Sequence, residues 1–209
     1  MIDVAIVAFT TFFVTVGPVD VAVVYAALTP AHTIASRRRM ALRATLVATV
    51  ILLTFALIGE TLLSWLGISL PALRTAGGIL LLLIGIDMVF ARQSGGVSAT
   101  ESETREASGR TDISVFPLAT PLIAGPGAMG AAILLMAGTG GDTLHQATVL
   151  AMLLLVLLLT FICLLAAVRI QRLLGVTGAQ VLTRILGVLL CALAVQFVFD
   201  GIADSGILF

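Results

Sequence analysis

Long apolar runs separated by short polar connections dominate the hydrophobic pattern of this chain. A helix needs roughly 20 mostly apolar residues to cross about 30 Å of hydrocarbon, and six stretches meet that requirement. They lie at approximately Ala5–Leu28, Leu42–Leu63, Leu70–Ala91, Val115–Gly138, Thr148–Val168 and Val181–Gly201. The pattern therefore predicts an all-α membrane protein with six transmembrane helices.

The composition supports a membrane protein and argues against several other classes of protein. Apolar residues make up 60% of the chain and charged residues 11%, and the mean hydropathy of +1.20 exceeds what a soluble core needs. The formal net charge is zero, which gives no basic footprint for nucleic acid. The two histidines and two cysteines have no partner at metal-ligand spacing, so we expect no metal and no cofactor. The start of the chain lacks the basic region of a cleavable signal peptide, so we expect the first span to remain.

The basic residues predict the orientation in the membrane. All eleven are arginine, and ten fall on one side of a six-span arrangement, whereas the other side has only Arg74 beside Asp3, Asp142 and Asp204. Arginine-rich loops face the cytoplasm. We therefore expect a bacterial-type inner membrane protein with both termini outside.

A polar segment divides the chain into two similar halves. Residues 92–113 are rich in Ser, Gly, Thr and Glu and predict a flexible cytoplasmic linker between repeats at 1–91 and 114–209. Gly17-Pro18 recurs as Gly125-Pro126, and LGIS at 66–69 recurs as LGVT at 174–177, both 108 residues later. Since each half has three spans, the second half would lie inverted relative to the first.

The two Gly-Pro pairs predict broken helices near the middle of spans one and four. Proline removes a helical hydrogen bond, and freed backbone groups are tolerated in a membrane only where protein, water or a ligand meets them. The amides at each helix restart would suit a carboxylate. The predicted substrate site therefore comprises seven residues: Gly17, Pro18, Val19, Asp20, Gly125, Pro126 and Gly127. A simple packing kink is the alternative.

Asp20 is the deepest acid within the apolar spans. It could carry a proton or bind a coupling cation, with Thr15 and Thr120 as nearby polar contacts, or it could cap the restarting helix; the two roles are compatible. Glu60 and Asp87 lie nearer span ends and are interpreted as partly solvated structural acids.

Three blocks resemble the MarC family of six-span membrane proteins. They are FALIGETLLSWLGISLPALRTAGGILLLLIGIDMVF at 55–90, PLATPLIAGPGA at 117–128 and TRILGVLLCALAVQFVFDGI at 183–202. Some members are described as cation-coupled transporters of small neutral amino acids such as glycine and alanine, so the resemblance implies a carrier for a small zwitterion. Family members usually have Asn or Asp before the first-span proline and Gly or Asn two residues after it, whereas here those positions hold Gly17 and Asp20.

These observations favour a non-enzymatic secondary transporter that works by alternating access around a midplane site. Its partners would be a small-molecule substrate, a coupling proton or sodium ion, and the lipid bilayer. A passive channel or an exporter of another small solute is the alternative. An intramembrane aspartyl protease using Asp20 and Asp87 is a further hypothesis, but GID at 85–87 matches the GxGD sequence of that class poorly.

Overall fold

A computed structural model describes residues 1–30, 32–90 and 112–206, except for the side chains at 60, 62–64, 176 and 179. Every regular element in these ranges is helical. In chain order they are α1 (Ile2–Val16), α2 (Pro18–Leu28), α3 (Ile34–Trp65), α4 (Leu70–Val89), a π-helical segment (Ser114–Ile123), α5 (Pro126–Ala137), α6 (Thr143–Leu165) and α7 (Ala167–Asp204). Nearly all of the linker predicted at 92–113 lies outside the described residues, as does the Glu60 side chain.

The length and apolar character of the helices are those of a protein that crosses the membrane several times. Five candidate spans are long and apolar enough, and the π-helical segment with α5 makes a sixth if this pair, bent by 53°, is one span. The fold class of an all-α multi-span protein is therefore confirmed. Helices α3 and α7 begin before the predicted spans and include Arg37, Arg38, Arg39, Arg169 and Arg172. The expectation that these arginines lie in loops was wrong, because hydropathy detects only the lipid-embedded part of a helix.

Helix α3 shows how these helices divide protein-facing from lipid-facing positions. Its buried face consists mainly of alanine, whereas its large apolar side chains point away from the protein. Small side chains allow close helix packing where lipid is as apolar as leucine and no hydrophobic force drives helices together. The buried face carries Ala41, Ala44, Ala48, Leu52 and Ala56, and the exposed face carries Leu42, Leu46, Val50, Leu57 and Ile58.

The helices of the two halves pack mainly against each other. Helices α1 and α2 of the first half contact α6 of the second, and the π-helical segment and α5 of the second half contact α3 of the first. Helix α2 also contacts α7, and α5 contacts α4. The most extensive packing joins α4 to α7, the last helix of each half.

Glycines allow α4 and α7 to approach closely. A Cβ atom on Gly85 would lie 2.7 Å from the Cys191 sulfur, and one on Gly187 would lie 2.8 Å from the Met88 Cβ. Real Cβ atoms are not found this close to such neighbours, so these positions require glycine. The joint between α4 and α7 is therefore a fixed backbone-to-backbone contact.

Candidate functional site

The first Gly-Pro pair lies at a junction between two helices. Helix α1 ends at Val16, Gly17 adopts the left-handed conformation with φ 60° and ψ 59°, and α2 begins at Pro18. Glycine is the residue that takes this conformation at little cost, and proline fits the first turn of a helix because it needs no backbone donor there. Gly17 and Pro18 are both buried, and Val19 is partly buried.

The second Gly-Pro pair follows a longer irregular stretch. The π-helical segment contains two extended residues, Phe116 and Thr120, each directly before a proline. The ring of a proline disfavours helical angles in the residue that precedes it. Gly125 is extended too, with φ −80° and ψ 169°, and α5 begins at Pro126. Irregular backbone thus covers residues 114–125, beyond the Gly-Pro pair alone; Gly127 is buried and Pro126 is exposed.

Asp20 lies in the first turn of α2 and reaches the other half of the protein. Its Oδ1 accepts a 2.6 Å hydrogen bond from the Thr183 hydroxyl of α7. Its buried Oδ2 has no hydrogen-bond partner among the described residues, and an ideal Cβ on Gly17 would lie 3.5 Å from it. No side chain caps the start of α2 within the described ranges. The carboxylate therefore joins two helices from different halves and keeps one oxygen available.

The other residues proposed beside Asp20 make different contacts. The Thr15 hydroxyl donates to the carbonyl of Thr11, and the Thr120 hydroxyl donates to that of Ala124 at 3.4 Å. Such bonds satisfy a threonine within its own segment. Their role in ion coupling stays a prediction, as does the substrate role of the two Gly-Pro pairs. Thr183 was missed because 163 residues separate it from Asp20; the only signal was a threonine near the start of span six.

A cavity that the sequence did not predict opens at one end of the helices, with a mostly apolar lining that includes four ionisable side chains. Its volume is about 350 Å³, and its lining includes Asp3, Arg74, His145 and Asp200. Arg74 forms an ion pair with Asp204 beside it. Positive and negative side chains therefore share one opening, an arrangement that suits a solute carrying both charges.

The helices and the partly buried Asp20 define an integral membrane protein with several spans and a polar group held between its two halves. The model of the MarC family, described as MarC family integral membrane protein, matches residues 2–205. The chain therefore belongs to the MarC family, and the resemblance predicted from the three sequence blocks is confirmed.

Curated relatives cover nearly the whole chain. UPF0056 membrane protein MJ1677 of Methanocaldococcus jannaschii is 39% identical over 96% of both chains. UPF0056 membrane protein YvbG of Bacillus subtilis is 32% identical over 93% of this chain and 92% of its own, and YhcE of Escherichia coli is 34% identical over 93% and 89%. No solved structure matches the chain.

Proposed function

We propose that this protein is a secondary transporter of small neutral amino acids or similar small zwitterions, coupled to a proton or sodium gradient. The observation that carries the proposal is the Asp20 carboxylate, which lies inside a candidate span with one buried oxygen unpartnered among the described residues. An acid costs about 2.5–3.5 kcal/mol at the centre of a membrane helix on insertion scales. Such a cost is usually retained for ion binding or proton transfer.

The proposed mechanism is alternating access between two inverted three-span repeats. The contacts between the two halves support this mechanism. The helices of span one pack on α6 of the second half, and those of span four pack on α3 of the first. A two-fold axis in the membrane plane would produce this reciprocal pattern. The α4–α7 contact would lie on that axis and hold the repeats together while the broken spans move.

Asp20 would couple the ion to this motion. A proton or sodium ion at the free Oδ2 would neutralise the carboxylate, and Thr183 would hold the other oxygen against α7. Loss of the ion would restore the charge and favour the conformation in which water reaches Asp20. The amides at the restarts near Val19 and Gly127 would receive the substrate carboxylate.

The cavity lined by Asp3, Arg74, His145 and Asp200 would be the vestibule on the outer side. Its basic group would attract the carboxylate of a zwitterion, and its acids would attract the ammonium group. With both termini outside and the arginine-rich ends of α3 and α7 in the cytoplasm, the cavity would open away from the cytoplasm.

Transport by purified protein in liposomes tests the proposal. Vesicles with an imposed proton or sodium gradient should accumulate or lose labelled alanine or glycine, and the flux should saturate with substrate. Asp142→Asn is the control for Asp20→Asn, because it removes an exposed acid that does not line the cavity beside Arg74, and asparagine also caps a helix well. Absence of gradient-dependent flux across a panel of small amino acids would exclude this substrate class. Unsaturable flux would indicate a channel instead.

A further inference from the structure

A second cavity, on the opposite side of the protein from Arg74 in the predicted topology, is lined by arginine. Its volume is about 500 Å³, and it lies between the start of α3 and the connection from α6 to α7. Four arginines line it: Arg37, Arg38, Arg169 and Arg172. The positive-inside rule explains arginines on this side, but it does not explain why four of them surround one cavity.

The described residues do not neutralise the charge in this cavity. Among residues 1–30, 32–90 and 112–206, no acid forms an ion pair with any of the four arginines. Arg37, Arg38 and Arg169 also lie near helix starts, where the macrodipole is positive and no acid occupies the first turn. Like charges at the positive ends of helices repel, so a bound anion would relieve the repulsion.

One arginine is held in place as part of the cavity wall. Arg37 donates to the carbonyls of Thr29 and Pro30, while its backbone carbonyl accepts a 2.6 Å hydrogen bond from the Tyr25 hydroxyl. The buried Nε of Arg37 has no partner in the described part of the chain. This guanidinium is therefore preorganised and keeps an unused donor.

The rim of the cavity is apolar and exposed. Ile34 is 73% exposed and Leu165 49% exposed, and both line the cavity beside the arginines. A soluble anion gains nothing from such a rim, whereas the acyl chains of a phospholipid would cover it. Arginine forks also match phosphate oxygens in geometry.

We propose that this cavity binds the phosphate group of an anionic phospholipid from the bilayer. The headgroup phosphate would lie between Arg38 of α3 and Arg172 of α7, with Arg37 and Arg169 completing the site, and the acyl chains would pass over Ile34 and Leu165. The lipid would thereby join one helix of each half at the membrane surface. This inference does not depend on what the protein transports.

Lipid retention by purified protein tests the inference. The full chain is placed in nanodiscs of phosphatidylcholine with 20 mol% phosphatidylglycerol, extracted in mild detergent, and examined by native mass spectrometry for bound lipid. The test variant is Arg38→Gln/Arg172→Gln. The control variant, Arg39→Gln/Arg184→Gln, also removes one charge from α3 and one from α7, but neither residue lines this cavity.

Wild type and control should retain phosphatidylglycerol in preference to phosphatidylcholine. The test variant should bind phosphatidylglycerol roughly thirtyfold more weakly, from about one kilocalorie per mole for each arginine near an anionic surface. Equal retention by both variants, or equal retention of the two lipids by wild type, would overturn the proposal. If millimolar inorganic phosphate binds the wild type and phosphatidylglycerol does not, the occupant is a soluble anion and the lipid assignment is wrong.

Discussion

The two Gly-Pro regions have the same dipeptide and different structures. At Gly17 a single left-handed residue joins α1 to α2, and the two together qualify as one span of 27 residues. At Gly125 the pair follows two extended residues, and the chain bends by 53°. The preceding prolines explain the difference, because Pro117 and Pro121 exclude helical angles from the residues before them, whereas no proline precedes Gly17 in α1.

The regions also differ in polarity. Asp20 is paired with Thr183 beside the first break, whereas the position 108 residues later is Ala128, which is fully buried. The same dipeptide therefore has different chemistry around it: an acid lies beside the first Gly-Pro pair, and irregular backbone precedes the second. The two regions would therefore have separate roles: the first would bind the ion, and the second would bend.

The strongest test of these separate roles replaces Asp20. Asp20→Asn should reduce gradient-coupled flux to background, because the amide cannot carry a proton and binds a cation poorly. Ala128→Ser is the matched change in the second region and should leave coupling intact. Flux is measured in liposomes with and without the gradient. Wild-type coupling by Asp20→Asn would remove the functional difference between the two breaks.

The joint shared by both halves should be the most sensitive structural position. Gly85→Ala places a methyl group 2.7 Å from the Cys191 sulfur and should destabilise the protein by about 1–3 kcal/mol. Gly130→Ala is the control, because a Cβ there has no neighbour within 4 Å, and a helical Gly→Ala change stabilises by up to about 1 kcal/mol. Thermal unfolding in detergent measures both. Equal unfolding midpoints would show that α4 and α7 do not pack through glycine.

The two break glycines should respond differently to alanine. Gly17→Ala should cost about 1–2 kcal/mol, because an alanine in the left-handed region is strained. Gly125→Ala carries no such penalty, since its angles are open to any residue. Thermal unfolding of the pair gives the comparison. A larger loss at Gly125 would mean that side-chain space, and not backbone conformation, distinguishes the two breaks.

The smallest effect concerns the entry to the second half. Asp112 pairs with Arg43 at 2.7 Å. Ser114, whose backbone amide donates a 2.9 Å hydrogen bond to the Asp112 carboxylate, lowers the pKa of this carboxyl below the usual value. A carboxyl group whose pKa is lowered in the folded state stabilises the protein at pH values above the unfolded-state pKa of about 3.9. This stabilisation is lost as the pH falls through the folded-state pKa.

Asp112→Asn should therefore cost less than about 1 kcal/mol at pH 7, since both partners are about half exposed. The difference from wild type should disappear in acid below both pKa values. Unfolding midpoints between about pH 2 and pH 7 check this. A difference that grows on acidification would have the wrong sign and would exclude the ion pair as its cause.

Sequence reasoning predicted the spans well because lipid imposes a length and a composition on any crossing helix. It placed the start of α3 too late, at Leu42 instead of Ile34, because arginine is a good helix former outside the membrane. The span predicted from Val181 agrees with the candidate span Gln180–Asp204. The hydrogen bond from Thr183 to Asp20 could not be predicted from the sequence, because it depends on how the two halves of the chain pack together. Sidedness, the linker and the roles of Thr15 and Thr120 stay predictions.

The alanine face of α3 has a consequence for how this protein tolerates sequence change. Large apolar residues usually form the core of a protein, but in α3 they face lipid and can exchange for one another freely. The small residues of α3 set the distance between helices. Exchanges among leucine, isoleucine and valine at Leu42, Leu46 or Val50 would leave the architecture unchanged. A single added methylene at Ala44 or Ala48 would separate helices. Variation among relatives should therefore concentrate at the bulky positions and spare the smallest ones.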